Sequence, residues 1–223
     1  MHSTHLKNFY KMNRFYTVSI ILFVLVELSG FFLIKILSPL ITTAVLRGIQ
    51  LMLFLIICNK IKLTNFFFGY KPYKATLNAL LILFFSGATF LITILTAKYF
   101  FNFHILKLML FKLPKNYSLL LLAGGIIGPV AEEFLFRGII YNLIIKKQNK
   151  HIAVLLSALI FSFFHLGRTG LPVIQFAGGI IFAYSYSYSK NLISPIIIHC
   201  TGNIAIFSIP FFYKIFFLKQ IFF

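Results

Sequence analysis

Apolar runs of about 18 residues or more, the length that reads as a membrane span, recur along this chain with lysine or arginine between them. The first extends from Tyr16 to about Leu37, and Ser38-Pro39 turns it into a second that ends near Cys58. A third covers Ala75 to Ala97, a fourth Tyr117 to Ile145, a fifth His151 to Leu166 and a sixth Leu171 to Tyr188. A seventh starts near Asn191. The tail 211–223 would cover only ~20 Å as a helix, too short to span alone. It either extends the seventh helix past Pro210 or lies in the interface. These runs predict an all-α polytopic transmembrane helical bundle of seven to eight spans around an intramembrane cavity, as one membrane domain over 1–223. Residues 1–116 supply the N-terminal spans and an interfacial segment, 117–210 the polar motifs and 211–223 the tail.

With 60% hydrophobic and 11% charged residues and a mean hydropathy of +0.96, the composition excludes a soluble enzyme. A net charge of +18 invites a nucleic-acid partner. However, the basic residues fall mostly between apolar runs, where they meet anionic headgroups of the lipid bilayer, so no nucleic-acid binding is expected. Lys60, Lys62, Lys71 and Lys74 mark one such loop within 59–74, and Lys146, Lys147 and Lys150 mark another. From Lys98 to Lys115 lysines interleave with Phe, Met and Leu, the pattern of a segment lying in the interface. Tyr184, Tyr186 and Tyr188 form an aromatic belt at the end of the sixth run. Basic residues are more numerous on the side of the N-terminus, so the positive-inside rule predicts that it is cytoplasmic. Lys7, Lys11 and Arg14 imitate a signal peptide, but the run behind them exceeds the 7–15 residues of a signal's apolar core. Cys58 and Cys200 sit in apolar runs, with neither the spacing nor the setting of a disulfide or a cysteine metal site.

Acid is scarce: the chain has three acidic residues in all, and Glu132 and Glu133 are adjacent within Gly128-Pro129-Val130-Ala131-Glu132-Glu133-Phe134-Leu135-Phe136-Arg137-Gly138. An ionisable group at mid-membrane costs roughly 2.5–3.5 kcal/mol on insertion scales, so such groups usually mark function. Glu133 and Arg137 lie one helical turn apart and can pair. Glu132 points ~100° away round the helix and has no local partner. Gly124-Gly125 and Gly128-Pro129 predict a kink or break, with Pro129 opening a helix whose first turn favours acid. The third acid, Glu27, and Arg47 sit at nearly equal depth across the first hairpin, which predicts a structural ion pair.

Two histidines lie within spans, His165 and His199. At 1.5 Å per residue, Glu132 and His165 each lie ~21 Å from the inner end of their helices and His199 ~12 Å. Tilted or broken helices bring these depths together, and Asn203 follows His199 by one turn. A glutamate, two histidines and an asparagine round one cavity can hold and activate a water.

The motifs Glu132-Glu133-x-x-x-Arg137, Phe161-x-x-x-His165 and His199-x-x-x-Asn203, in this order on separate runs, resemble the CAAX-processing and bacteriocin-immunity family, which includes the type II CAAX prenyl endopeptidases. The resemblance covers about 117–210. It implies an eight-helix intramembrane peptidase in which Glu132 activates water, His165 assists, and His199 and Asn203 stabilise the tetrahedral oxyanion. Glu133 and Arg137 would be supporting residues. The substrate would be a membrane-associated peptide or protein. With 30 Phe and no Trp, the composition resembles that of an AT-rich bacterium, which points to a bacterial plasma membrane.

Two chemistries remain open. Glu132, His165 and His199 could form a three-ligand zinc set with an open position, Glu133 or Asn203 supporting it. The run lacks the H-E-x-x-H helix of zinc proteases, and the metal-free general-base scheme is slightly preferred. Two other classes compete with the peptidase. One is a non-catalytic self-immunity membrane protein on the same scaffold; the other is a proton or ion pathway built on buried Glu and His.

Overall fold

The structure is a computed structural model that describes residues 2–60, 68–69, 72–102, 110–166 and 172–217. Among them are seven helices and no strand. They are α1 (His2–Leu33), α2 (Pro39–Lys60), α3 (Pro72–Phe101), α4 (Tyr117–Ile144), α5 (Lys150–Phe163), α6 (Val173–Ser189) and α7 (Ile193–Phe217). Five of these, α1, α2, α3, α4 and α7, are long and apolar enough to cross a membrane. The chain is thus an all-α polytopic bundle and an integral membrane protein. The other two, α5 with 14 residues and α6 with 17, reach only ~21 and ~26 Å, short of the ~30 Å hydrocarbon core. They pack on each other, and α5 packs on the C-terminal half of α4.

Local chemistry sets the ends. Ser38 and Pro39 open α2, with Ser38 Oγ accepting from Ile41 N at 3.4 Å and proline at the first helical position, where its missing N–H costs nothing. Asn149 caps α5 by accepting from Ile152 N at 3.0 Å. Lys190, at φ 51°, turns the chain out of α6. α7 runs through Pro210 to Phe217, so the first residues of the tail extend the seventh helix. Residues 218–223 lie outside the described residues. The predicted interfacial segment also begins too early. Lys98 to Phe101 are the last turn of α3, because nothing in Lys-Tyr-Phe-Phe breaks a helix. Part of that segment, 103–109, lies outside the described residues, as do 61–67 and 70–71 of the basic loop. The Tyr-Ser alternation of 184–188 is helical.

α4 is the centre. Of its apolar window 56% is buried inside the protein, against 6% for α3, whose Phe84 and Phe85 point outward to lipid. Of the predicted kink or break, no break occurs. The chain stays helical through Gly124-Gly125 and Gly128-Pro129 by widening into a π-helix over Ala123–Ile127, with a second π segment over Phe134–Tyr141. Proline lacks the N–H for a regular turn and its ring crowds the carbonyl four residues back. Here Gly128 N bonds the carbonyl of Ala123, five residues back, and the widened turn absorbs Pro129. π turns of this kind are frequent at functional sites. Consequently Glu132 and Glu133 lie inside a continuous helix, and no free helix N-terminus stands beside them.

Small residues set the closest approaches. A Cβ on Gly125 would come within 2.9 Å of Ile204, and one on Gly179 within 3.1 Å of the Ala158 backbone. α7 therefore lies tightly on α4, and α6 on α5. Such small-residue contacts replace the hydrophobic drive that lipid cannot supply.

Candidate active site

The three acids of the chain, separated by up to 106 positions in sequence, belong to one chain of polar contacts through the bundle interior. It begins on α1 and α2. Arg47 Nη1 donates to Glu27 Oε1, and to Gln50 Oε1 at 2.6 Å, while Gln50 Nε2 donates to the same Glu27 oxygen at 2.9 Å. The Nε edge of Arg47 faces α4, 3.7 Å from Glu132 Oε1. The other Glu132 oxygen, Oε2, lies 3.8 Å from His199 Nε2 on α7. Both distances are too long for hydrogen bonds, and the first is an ion-pair separation.

The opposite ring nitrogen of His199, Nδ1, is 2.7 Å from Glu133 Oε1. That oxygen also accepts from Arg137 Nη1 at 2.9 Å. A carboxylate already paired with a guanidinium is an acceptor only, so the His199 Nδ1 carries the hydrogen. Nε2 is thereby turned toward Glu132, as in other carboxylate–imidazole pairs. Arg137 is fully buried. Its Nη2 donates to Gly179 O at 3.0 Å, a carbonyl exposed to it because Gly179 has no side chain. Its guanidinium lies 4.9 Å from the Phe161 ring centre and 5.2 Å from that of Phe182, where cation–π attraction replaces water. Phe182 also stacks on His199 at 4.4 Å, fixing the imidazole plane.

The residues named from sequence divide into two groups. Glu132, Glu133, Arg137 and His199 come together. His165 and Asn203 do not join them. His165 lies just past the end of α5, where its Nδ1 hydrogen-bonds the Phe161 carbonyl at 2.9 Å. The Phe161 ring stands 4.7 Å from His165 and 5.6 Å from His199, and among the described residues no ion pair joins His165 to a glutamate. Asn203 Nδ2 donates to Gly124 O at 2.9 Å, satisfying a carbonyl of the first π segment. Glu27 and Arg47 pair, and Arg47 reaches Glu132 as well, so the hairpin pair and the α4 carboxylates are one cluster. Sequence reasoning missed that link, together with Gln50 and Phe182. The available signal was polar Gln50 in an apolar run, one turn after Arg47.

Zinc needs at least three donors gathered round one point. Among the described residues no three His, Cys, Asp or Glu side chains are grouped as a metal site requires. Hydrogen bonding is not the obstacle, since Nδ1 of His165 on the Phe161 carbonyl and Nδ1 of His199 on Glu133 leave each Nε2 open; the side chains are not gathered round one point. The set Glu132, His165 and His199 therefore does not fit a zinc ion in this arrangement.

Residues 114–205 match the family described as Type II CAAX prenyl endopeptidase Rce1-like. The chain is 38% identical over 85 residues to the membrane-embedded CAAX protease MroQ of Staphylococcus aureus strain USA300, over 35% of this chain and 34% of that protein. It is 34% identical over 85 residues to the YdiL protein of Bacillus subtilis strain 168, over 38% of this chain and 34% of that one. Similarity to the UPF0177 protein YxdF of Lactococcus lactis is 34% over 80 residues, covering 36% and 44%. The chain thus spans about a third of the length of the first two curated relatives. No solved structure matches it. All three motifs fall inside the matched stretch, and over residues 114–205 the chain is similar to the type II CAAX prenyl endopeptidase Rce1-like family.

Proposed function

We propose that the chain is an intramembrane endopeptidase in which Glu132 is the general base and His199 the electrostatic partner of the transition state. One observation carries this reading. His199 is held between the two carboxylates, Nδ1 fixed by Glu133 at 2.7 Å and Nε2 facing Glu132 Oε2 at 3.8 Å. A gap of that size between polar groups suits a bridging water. Glu132 takes a proton from this water as the oxygen attacks a peptide carbonyl. His199, as imidazolium, donates from Nε2 to the developing oxyanion, its charge balanced by Glu133. Glu132 then returns the proton to the departing amine, and the C–N bond breaks. Asn203, one turn from His199, makes one Nδ2 hydrogen bond among the described residues, and its second amide N–H serves as a further oxyanion donor. His165, which packs on the Phe161 ring that also contacts His199, is assigned an assisting role in orienting the water. The scheme needs no metal. The substrate is a membrane-associated peptide or protein, the membrane a bacterial plasma membrane, and the N-terminus cytoplasmic.

The test is quantitative mass spectrometry of membrane peptides from cells carrying wild type or Glu132→Gln, with cleavage of the candidate peptides repeated by purified protein. Wild type should release defined fragments and Glu132→Gln none. Equal fragment patterns from the two, with both folded, would point instead to the non-catalytic immunity role.

A further inference from the structure

We propose that Arg47 is a positioning residue for Glu132, so that the α1–α2 hairpin, outside the matched stretch 114–205, completes the active site. This rests on the reading of Glu132 as the base.

Four observations converge. First, the guanidinium is fixed in place: Glu27 and Gln50 both accept from Nη1, and Gln50 donates back to Glu27. Second, the Nε edge left over faces Oε1 of Glu132 at 3.7 Å, while Oε2 faces His199. The two oxygens of the base are thereby made unequal, Oε1 drawn to the cation and Oε2 presented to the water. Third, the arginine stem packs on α4 beside the base. Gly128 is one turn before Glu132, and Arg47 Cγ lies at ordinary contact distance, 3.8 Å, from where a Cβ on Gly128 would stand. Fourth, charge requires it. Adjacent Glu132 and Glu133 repel, and Arg137 serves Glu133. Among the described residues the charged or titratable groups around Glu132 are Arg47 from α2, His199 from α7, its neighbour Glu133 and, beyond ion-pair distance, Arg137. Arg47 is the permanent cation within ion-pair distance of it. A pair serving only the hairpin would not need its guanidinium aimed at α4.

The test uses purified full chain in proteoliposomes with a mixed library of single-span peptides. It compares wild type with Arg47→Gln, Arg47→Lys and the double variant Glu27→Gln/Arg47→Gln, which removes both charges and so protects folding. Turnover is counted per folded molecule, judged by size exclusion after heating. For Arg47→Gln, kcat should fall about 10²-fold, the scale of a misplaced reacting group, with KM little changed. Arg47→Lys should keep an intermediate rate. The double variant should regain stability and stay slow. Wild-type kcat in the folded double variant overturns the proposal. An independent readout needs no cleavage: isotope-edited infrared bands of the Glu132 carboxylate, assigned with Glu132→Gln, should move in Arg47→Gln. A band that stays put overturns it too. Cleavage by folded Glu132→Gln would instead remove the general-base reading itself, so the two failures are distinguishable.

Discussion

Arg137 gives the sharpest separation of stability from function. Arg137→Met fills much of the same volume and deletes the charge. Lost with it are the 2.9 Å bond to Glu133, the 3.0 Å bond to Gly179 O, and the contacts with Phe161 and Phe182. Glu133 is completely buried, and among the described residues its Oε2 has no hydrogen-bond partner, so the variant leaves a carboxylate that His199 alone of these residues balances. Breaking a buried pair from one side costs about 3–5 kcal/mol. The second variant is Glu133→Leu/Arg137→Met, which removes both charges. Apolar replacement of a complete buried pair is often neutral, or stabilising by about 1–4 kcal/mol. The single variant should therefore be much less heat-resistant than wild type, and the double variant should recover. Activity should not recover, because His199 Nδ1 then has no carboxylate to hold it. The chain has no Trp, so intrinsic tryptophan fluorescence is not available. The assay is the folded fraction by size exclusion after a heating series, with peptide cleavage measured on the surviving peak. A double variant as unstable as the single one would refute the buried-pair account, and a stable double variant that cleaves normally would refute the orienting role of Glu133.

Glu132→Gln should abolish cleavage while leaving the melting profile close to wild type, since Glu132 makes only longer contacts at 3.7 and 3.8 Å. Glu133→Gln should lose both heat resistance and activity; the reverse pattern between the two, in folded protein, would exchange their roles. Glu27→Gln should lower stability by no more than about 3–5 kcal/mol, the scale for breaking a buried pair, because Gln50 still accepts from Arg47; heat resistance by size exclusion checks it. Prolonged chelation should leave activity intact, with well under one zinc per chain by elemental analysis; stoichiometric zinc whose removal and return switch activity off and on would overturn the metal-free scheme. Gly179→Val should separate α6 from α5, because its Cβ would stand 3.1 Å from the Ala158 backbone; both heat resistance and cleavage should drop.

What could be known from sequence follows from what the membrane enforces. A bilayer admits helices of a certain length and penalises charge, so apolar runs fix the helical class and two adjacent acids inside one such run announce the site. The pairing of Glu133 with Arg137 is equally local, since one turn of helix brings them together wherever the bundle goes. Depth counting along each helix placed Glu27 near Arg47 and His165 level with Glu132, and needed tilt or a break to bring His199 to the same depth. It could not give rotation about the helix axis. That is set by packing: Gly125 against Ile204, Gly179 against Ala158, and the widened turn that absorbs Pro129. Those contacts turn His199 so that it touches both carboxylates, leave His165 behind the Phe161 ring, and spend one Asn203 hydrogen on Gly124. They also decide that α2 lies along Gly128, which brings Arg47 to Glu132 across 85 positions of sequence. Composition and spacing dictate which residues carry charge and on which helix; only the tertiary packing, through small residues at helix crossings, decides which charges meet.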